Sequence, residues 1–135
     1  MDSTRIMVSD IIIDCVDADR LAEFWSQLLG LPAKDRQGPY VTLERIFDGE
    51  FGISFQEVPE PKLAKSRIHF DISSSNISET KARIEALGGR RAPGYEDGGF
   101  LVMQDPEGNE FCVVTFEQIE VDDGGRARYL DGLAP

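Results

Sequence analysis

From Asp10 the chain reads DIIIDCV, a short β-branched stretch. On an extended backbone Ile11, Ile13 and Cys15 fall on one side, and Asp10, Ile12 and Asp14 on the other. That pattern predicts a strand over residues 10–16. Asp17 then stands where a helix N-cap belongs, and Leu21, Phe24, Trp25, Leu28 and Leu29 recur at helical spacing until Gly30 closes the run. Two extended pieces follow, over residues 40–45 and 51–57, joined across a turn at Asp48-Gly49. The stretch 58–66 (VPEPKLAKS) carries two prolines and reads as a linker.

The pattern then starts again. Residues 67–73 predict a strand with Ile68, Phe70 and Ile72 on one face and Arg67, His69 and Asp71 on the other. Asn76 is the next N-cap, with Glu79 placed as in a capping box, and Ile77, Ile84 and Leu87 form a thinner apolar stripe ended by Gly88-Gly89. A turn over 95–99, a strand over 100–104, a tight Asp105-Pro-Glu-Gly-Asn109 turn and a last strand over 110–116 complete the set. The turn needs only its proline and glycine to form. In the last strand Phe111 and Val113 oppose Glu110, Cys112 and Val114. A single offset of 59 carries Asp10, Asp17, Leu28 and Gly30 onto His69, Asn76, Leu87 and Gly89, the Asp48-Gly49 turn onto Glu107-Gly108, and Ile53 onto Cys112. The chain is therefore read as a duplication, each half βαβββ with a weakly marked second strand.

Charge and rare residues narrow the chemistry. The 135 residues suffice for one ordinary domain. With 14 Lys and Arg against 25 Asp and Glu, the net charge of −11 argues against nucleic acid or an anionic membrane surface as partner. There is one histidine, His69, and two cysteines, Cys15 and Cys112, so a centre with several histidine ligands is excluded within one chain, as is a Cys-rich zinc module. No basic region leads an apolar stretch at the start, and no apolar run reaches the ~20 residues of a membrane helix. The expectation is a cytoplasmic protein with free thiols. No Gly-rich loop precedes a helix, and no Gly-x-Ser-x-Gly elbow is present, which leaves nucleotide-cradle and serine-hydrolase chemistry without support.

Three stretches, DIIIDCVDADRLAEFWSQLLGL, IHFDISSSNISETKARIEALGG and DPEGNEFCVV, together resemble the vicinal oxygen chelate superfamily of glyoxalases, extradiol dioxygenases and bleomycin-resistance proteins. The resemblance implies an α+β fold in which two tandem βαβββ modules form a curled sheet around a concave cleft. On that view one glyoxalase-like domain spans 1–116, with modules at about 6–57 and 67–116, a linker at 58–66 and a polar tail at 117–135. The superfamily's four ligand positions fall on Asp10, Ile53, His69 and Cys112. It usually has His or Gln, Glu or nothing, His, and Glu there, so this chain keeps only the third.

The expectation that follows is a protein that binds a small organic molecule in the cleft without a catalytic metal. The cleft would be lined by Asp10, Ile53, Phe55, His69, Met103 and Cys112, with His69 as the catalytic group if there is a reaction. One alternative is a lyase, isomerase or dioxygenase holding a divalent metal such as zinc on Asp10, His69 and Cys112. Another is a non-catalytic interaction protein. A homodimer is expected in each case. Each residue also has a plainer reading. His69 serves equally as a hydrogen-bonded strand histidine, Cys112 as a small buried hydrophobe, Asp10 as a strand start and Trp25 as core. Phe51, Phe55, Tyr95, Phe100 and Met103 fit a core as well as a cleft, and Arg67 is an anion anchor or a solvated rim residue.

Overall fold

In a computed structural model, residues 4–45, 51–95, 101–115, 120–121 and 127–128 are described. The chain packs into two compact units, Met1–Pro61 and Lys62–Pro135. Each has the order βαβββ, and the fold class is α+β.

In the first unit β1 (Asp10–Cys15) leads into α1 (Ala18–Leu29), then β2 (Ala33–Gln37), β3 (Tyr40–Leu43) and β4 (Gly52–Glu57). The sheet order is β1-β4-β3-β2, with β1 parallel to β4 and the remaining pairs antiparallel. The helix starts where the sequence caps it: the Asp17 carboxylate accepts from the Arg20 N–H at 3.1 Å. It stops at Gly30, whose φ of 70° places it in the left-handed region while its N–H bonds back to Ser26. Leu21, Phe24 and Trp25 of α1 are buried against Val41, Leu43, Phe55 and Cys15. Phe24 and Trp25 meet edge to face at 5.3 Å. Each of these large side chains contributes about 1.5–3 kcal/mol on burial.

The second unit repeats this with a poorer helix. Its strands are β5 (Asp71–Ser74), β6 (Arg90–Arg91), β7 (Leu101–Gln104) and β8 (Glu110–Thr115), ordered β5-β8-β7-β6, and α2 spans Ile77–Ala86. Asn76 caps α2 by accepting from the Glu79 N–H at 3.1 Å. Only Ile77 and Ile84 of the helix are buried, facing Leu101, Met103, Phe111 and Val113. Gly89 passes under α2 so closely that a Cβ there would lie 2.8 Å from the Gln104 carbonyl oxygen. After the second sheet, β9 (Glu120–Val121) pairs antiparallel with β10 (Ala127–Arg128), where the sequence predicts only a polar tail. Among the described residues no helix is long and apolar enough to cross a membrane.

Three expectations are corrected. The strand predicted over 67–73 begins only at Asp71, and Ile68, assigned to the apolar face, is 83% exposed. Glu110, the β8 residue that would lie beside that missing start, turns its carboxylate to the Ser66 N–H (3.0 Å) and to Lys62 (2.8 Å), holding the incoming chain by its side chain instead of a ladder. Secondly, the duplication does not run at one offset. Ile12 pairs with Ser54 in the first sheet, and Asp71, its mate at an offset of 59, pairs with Cys112, which lies only 58 beyond Ser54. Ser54 and not Ile53 is therefore the register mate of Cys112. Between paired positions the β3–β4 hairpin spans 12 residues (Thr42 to Ser54) and the β7–β8 hairpin 10 (Val102 to Cys112). The run from first to third strand is 30 (Ile12 to Thr42) against 31 (Asp71 to Val102), so the net change is one residue. A one-residue slip moves a side chain to the other face. Ile53 thus shares the helix side with Phe55. Thirdly, Phe55 and Met103 have no exposed surface and belong to the cores of their units. The Asp48-Gly49 turn, Phe100, Phe116 and most of the 95–99 turn and the 117–135 tail lie outside the described residues.

The short β7–β8 loop is held from inside. Asp105 is fully buried, and its carboxylate accepts from the backbone N–H of Glu107 (2.9 Å) and of Asn109 (3.0 Å), and from the Asn109 side chain through both oxygens. Proline and glycine alone do not account for this turn. Replacing Asp105 by Ala leaves two backbone donors unpaired, and the expected loss is about 3 kcal/mol of unfolding free energy, measured as a lowered urea midpoint; an unchanged midpoint would contradict this role.

Candidate functional site

Helix α2 covers one face of the second sheet, and among the described residues no helix of that unit covers the other. Register decides what that free face presents. Asp71, Cys112 and Val102 are cross-strand neighbours in one row, and Glu110, Gln104 and Arg90 form the next row on the same side. Two residues along a strand separate the rows by about 7 Å.

The first row carries the chemistry the sequence singled out. Just before β5, His69 places Nε2 3.4 Å from the Asp71 Oδ1. One ligand atom from each of His69, Asp71 and Cys112 lies within 4.8 Å of the others. His69 and Asp71 are exposed while Cys112 is half-buried. Burial, reinforced by the negative charge of Asp71, pushes the Cys112 thiol up to about 11. At neutral pH it is a protonated thiol and a weak nucleophile. The trio can pass a proton between an imidazole and a bound molecule, or hold a cation that displaces the thiol proton.

The second row opens onto a cavity of about 370 Å³ lined by, among others, Lys62, Lys65, Arg90, Tyr95, Gln104 and Glu110. This volume is within the range of small-molecule sites. The linker residues that wall it are held by Glu110, which is 8% exposed. Burial raises the Glu110 carboxyl, but hydrogen bonds from Lys62 and from the Ser66 N–H outweigh it, and the net direction is down.

The first unit's corresponding groups are engaged with one another. The Ser54 hydroxyl is 2.9 Å from that of Thr42, and the Asp10 carboxylate pairs with Arg45 at 3.5 Å. Asp10 is thus half-buried at the start of β1, Ile53 and Phe55 face α1, and Met103 faces α2. The structure brings together His69 and Cys112 of the predicted set and adds Asp71, which strand parity had already placed on their face. It also adds Lys62, Lys65, Arg90 and Gln104. Nothing in the spacing of those four pointed to a cavity, because the linker and β6 meet only in three dimensions.

A family model described as a glyoxalase-like domain matches residues 10–114. No curated protein matches the chain. Solved structures with a similar fold include a glyoxalase-related enzyme from Fulvimarina pelagi, 17% identical, covering 91% of this chain and 97% of that one with a TM-score of 0.60. A glyoxalase/bleomycin resistance protein/dioxygenase family enzyme from Burkholderia phytofirmans PsJN is 17% identical over 81% of this chain and 98% of that one, with a TM-score of 0.60. The trypanothione-dependent glyoxalase I of Leishmania major is 18% identical over 83% of this chain and 87% of that one, with a TM-score of 0.61. At these identities the likeness is one of fold.

Folding favours the charged form of Glu110. Its contribution to stability is present above about pH 4.3, the value of a free glutamate, and is lost as pH falls from there through its lower folded value. Glu110→Gln is expected to cost about 2 kcal/mol at pH 7 and to flatten the fall of stability on acidification, followed by urea unfolding at several pH values. Parallel curves for the two proteins would remove Glu110 from this role.

Proposed function

The chain belongs to the glyoxalase-like domain family of the vicinal oxygen chelate superfamily, and from that premise we propose that it binds a small organic molecule on the helix-free face of its second sheet, with no dependence on a catalytic metal. The observation that carries this is the cavity of about 370 Å³ set one row from His69, Asp71 and Cys112. The donor chemistry supports it. In the second unit the positions carried over by resemblance hold His69 and Cys112, and Cys112 keeps its proton. A hard divalent ion is best served by charged oxygen donors, and neither residue is one. His69 is the group that would move a proton to or from a bound molecule, positioned by Asp71.

A second reading rests on the His69, Asp71 and Cys112 trio itself. Imidazole, carboxylate and thiolate suit zinc, and three such donors leave a position open. Bound there, zinc would act as a Lewis acid toward a substrate oxygen. The names of the fold relatives, glyoxalase I and a dioxygenase-family enzyme, lend this reading its reaction classes.

The two readings part in one experiment. Chelator-treated, isotopically labelled protein is titrated with benzoate, phenyl phosphate and benzamide and followed by backbone amide resonances. Saturable shifts at Ala92, Tyr95 and Gln104 with at least one probe are expected without added metal. Absence of such shifts with all three overturns the proposal. Shifts that need added zinc, together with stoichiometric zinc in untreated protein that is lost in His69→Ala, establish the second reading in its place.

A further inference from the structure

The cavity runs against the charge of the chain. Acidic residues outnumber basic ones 25 to 14 overall, yet this wall holds Lys62, Lys65 and Arg90 against Glu107 and Glu110. Lys62 is neutralised by Glu110 at 2.8 Å, with side chains only 22% and 7% exposed. Lys65 and Arg90 have no carboxylate partner among the described residues: the Lys65 ammonium donates to the Ser66 carbonyl at 3.4 Å, and Arg90 donates through Nε to the Gln104 Oε1 at 2.9 Å. Two cations on one cavity wall without a carboxylate partner among the described residues call for an anion.

Arg90 is also aimed. The Gln104 amide donates to the Gly108 carbonyl at 3.3 Å, which fixes its oxygen toward Arg90. The β6–β7 register sets the same two residues opposite each other. With Nε so engaged, the terminal Nη pair of the guanidinium is left for another acceptor, and its fork matches the two oxygens of a carboxylate or phosphate. Leu63, Ala92, Pro93 and Tyr95 supply apolar wall beside these cations, and Leu63 is 91% exposed.

We infer that the pocket selects small organic oxyanions, with the carboxylate or phosphate group on Arg90 and Lys65 and the carbon body against Tyr95 and its apolar neighbours. This rests on the small-molecule reading above and names its ligand class. The protein's overall negative charge repels anions at long range, so selectivity has to come from these short contacts and is sensitive to salt.

The test compares benzoate and phenyl phosphate with benzamide, the neutral isostere of benzoate, on the full chain by the same amide shifts. At least one anion binds about tenfold more tightly than benzamide. Added salt weakens the anion and leaves benzamide unchanged. Arg90→Gln and Lys65→Gln each remove most of the anion's advantage, and Arg90→Lys restores only part of it because the fork is gone. Which anion wins distinguishes a carboxylate ligand from a phosphate one. Equal affinity for all three probes at these amides, or anion binding unmoved by both Gln variants, overturns the inference and leaves the small-molecule reading intact. If no probe binds there, both fall.

Discussion

The candidate site of this protein depends on a buried carboxylate that does not line its cavity. Asp105 is buried at the β7–β8 turn and satisfies two backbone N–H groups and one side-chain amide within five residues. A buried carboxylate is stable only with its oxygens fully bonded, so the turn has one conformation and the hairpin one register. That register aligns Gln104 with Glu110, Val102 with Cys112 and, through them, Arg90 and Asp71. A slip of β8 by one residue would send Cys112 and Glu110 into the core and bring Phe111 and Val113 out.

Glu110 performs a second service from the same hairpin. By holding Lys62 and the Ser66 N–H it keeps residues 62–66 at the sheet, and the chain joins the ladder at Phe70, whose carbonyl accepts from the Cys112 N–H at 2.9 Å. His69 therefore stands clear of regular strand pairing, with its side chain 43% exposed and Asp71 within reach. The linker becomes a wall of the cavity by the same contact. One buried carboxylate thus sets a loop, a histidine and a pocket. The register mate of Glu110 in the first unit is Gly52, which has no side chain to hold a linker, and the Ser54 hydroxyl, mate of Cys112, is bonded to Thr42. The duplication has kept the frame in both halves and the open chemistry in one.

Much of the frame is legible in the chain. Asp17, Asn76 and Gly30 act as the caps their residue types predict, because capping is a local bond between a side chain or a left-handed turn and the adjacent backbone. Leu21, Phe24 and Trp25 of the α1 stripe are buried as its period requires, and Leu28 and Leu29 are half-buried. Strand parity sorts Cys112 and Asp71 onto one face correctly. It fails at Ile68, whose alternation is that of a strand but which precedes β5 and is 83% exposed. It fails again at Ile53, where counting assumes equal connections in the two halves, and a β7–β8 hairpin two residues shorter together with a run from β5 to β7 one residue longer puts the count out by one.

By itself the sequence determined the repeat, the caps, the helix faces and the rarity of histidine, since these follow from local periodicity and residue inventory. It also determined that any imidazole chemistry runs through His69. Only the tertiary structure decided that Ser54 is the mate of Cys112, that Asp71 completes the donor trio, and that Lys65 and Arg90 face one cavity. The reason is physical. A local pattern sets which way a side chain points from its own strand, whereas register and loop length set which strand residue lies beside it, and those are fixed by buried bonds such as those of Asp105 between residues the pattern treats as a loop.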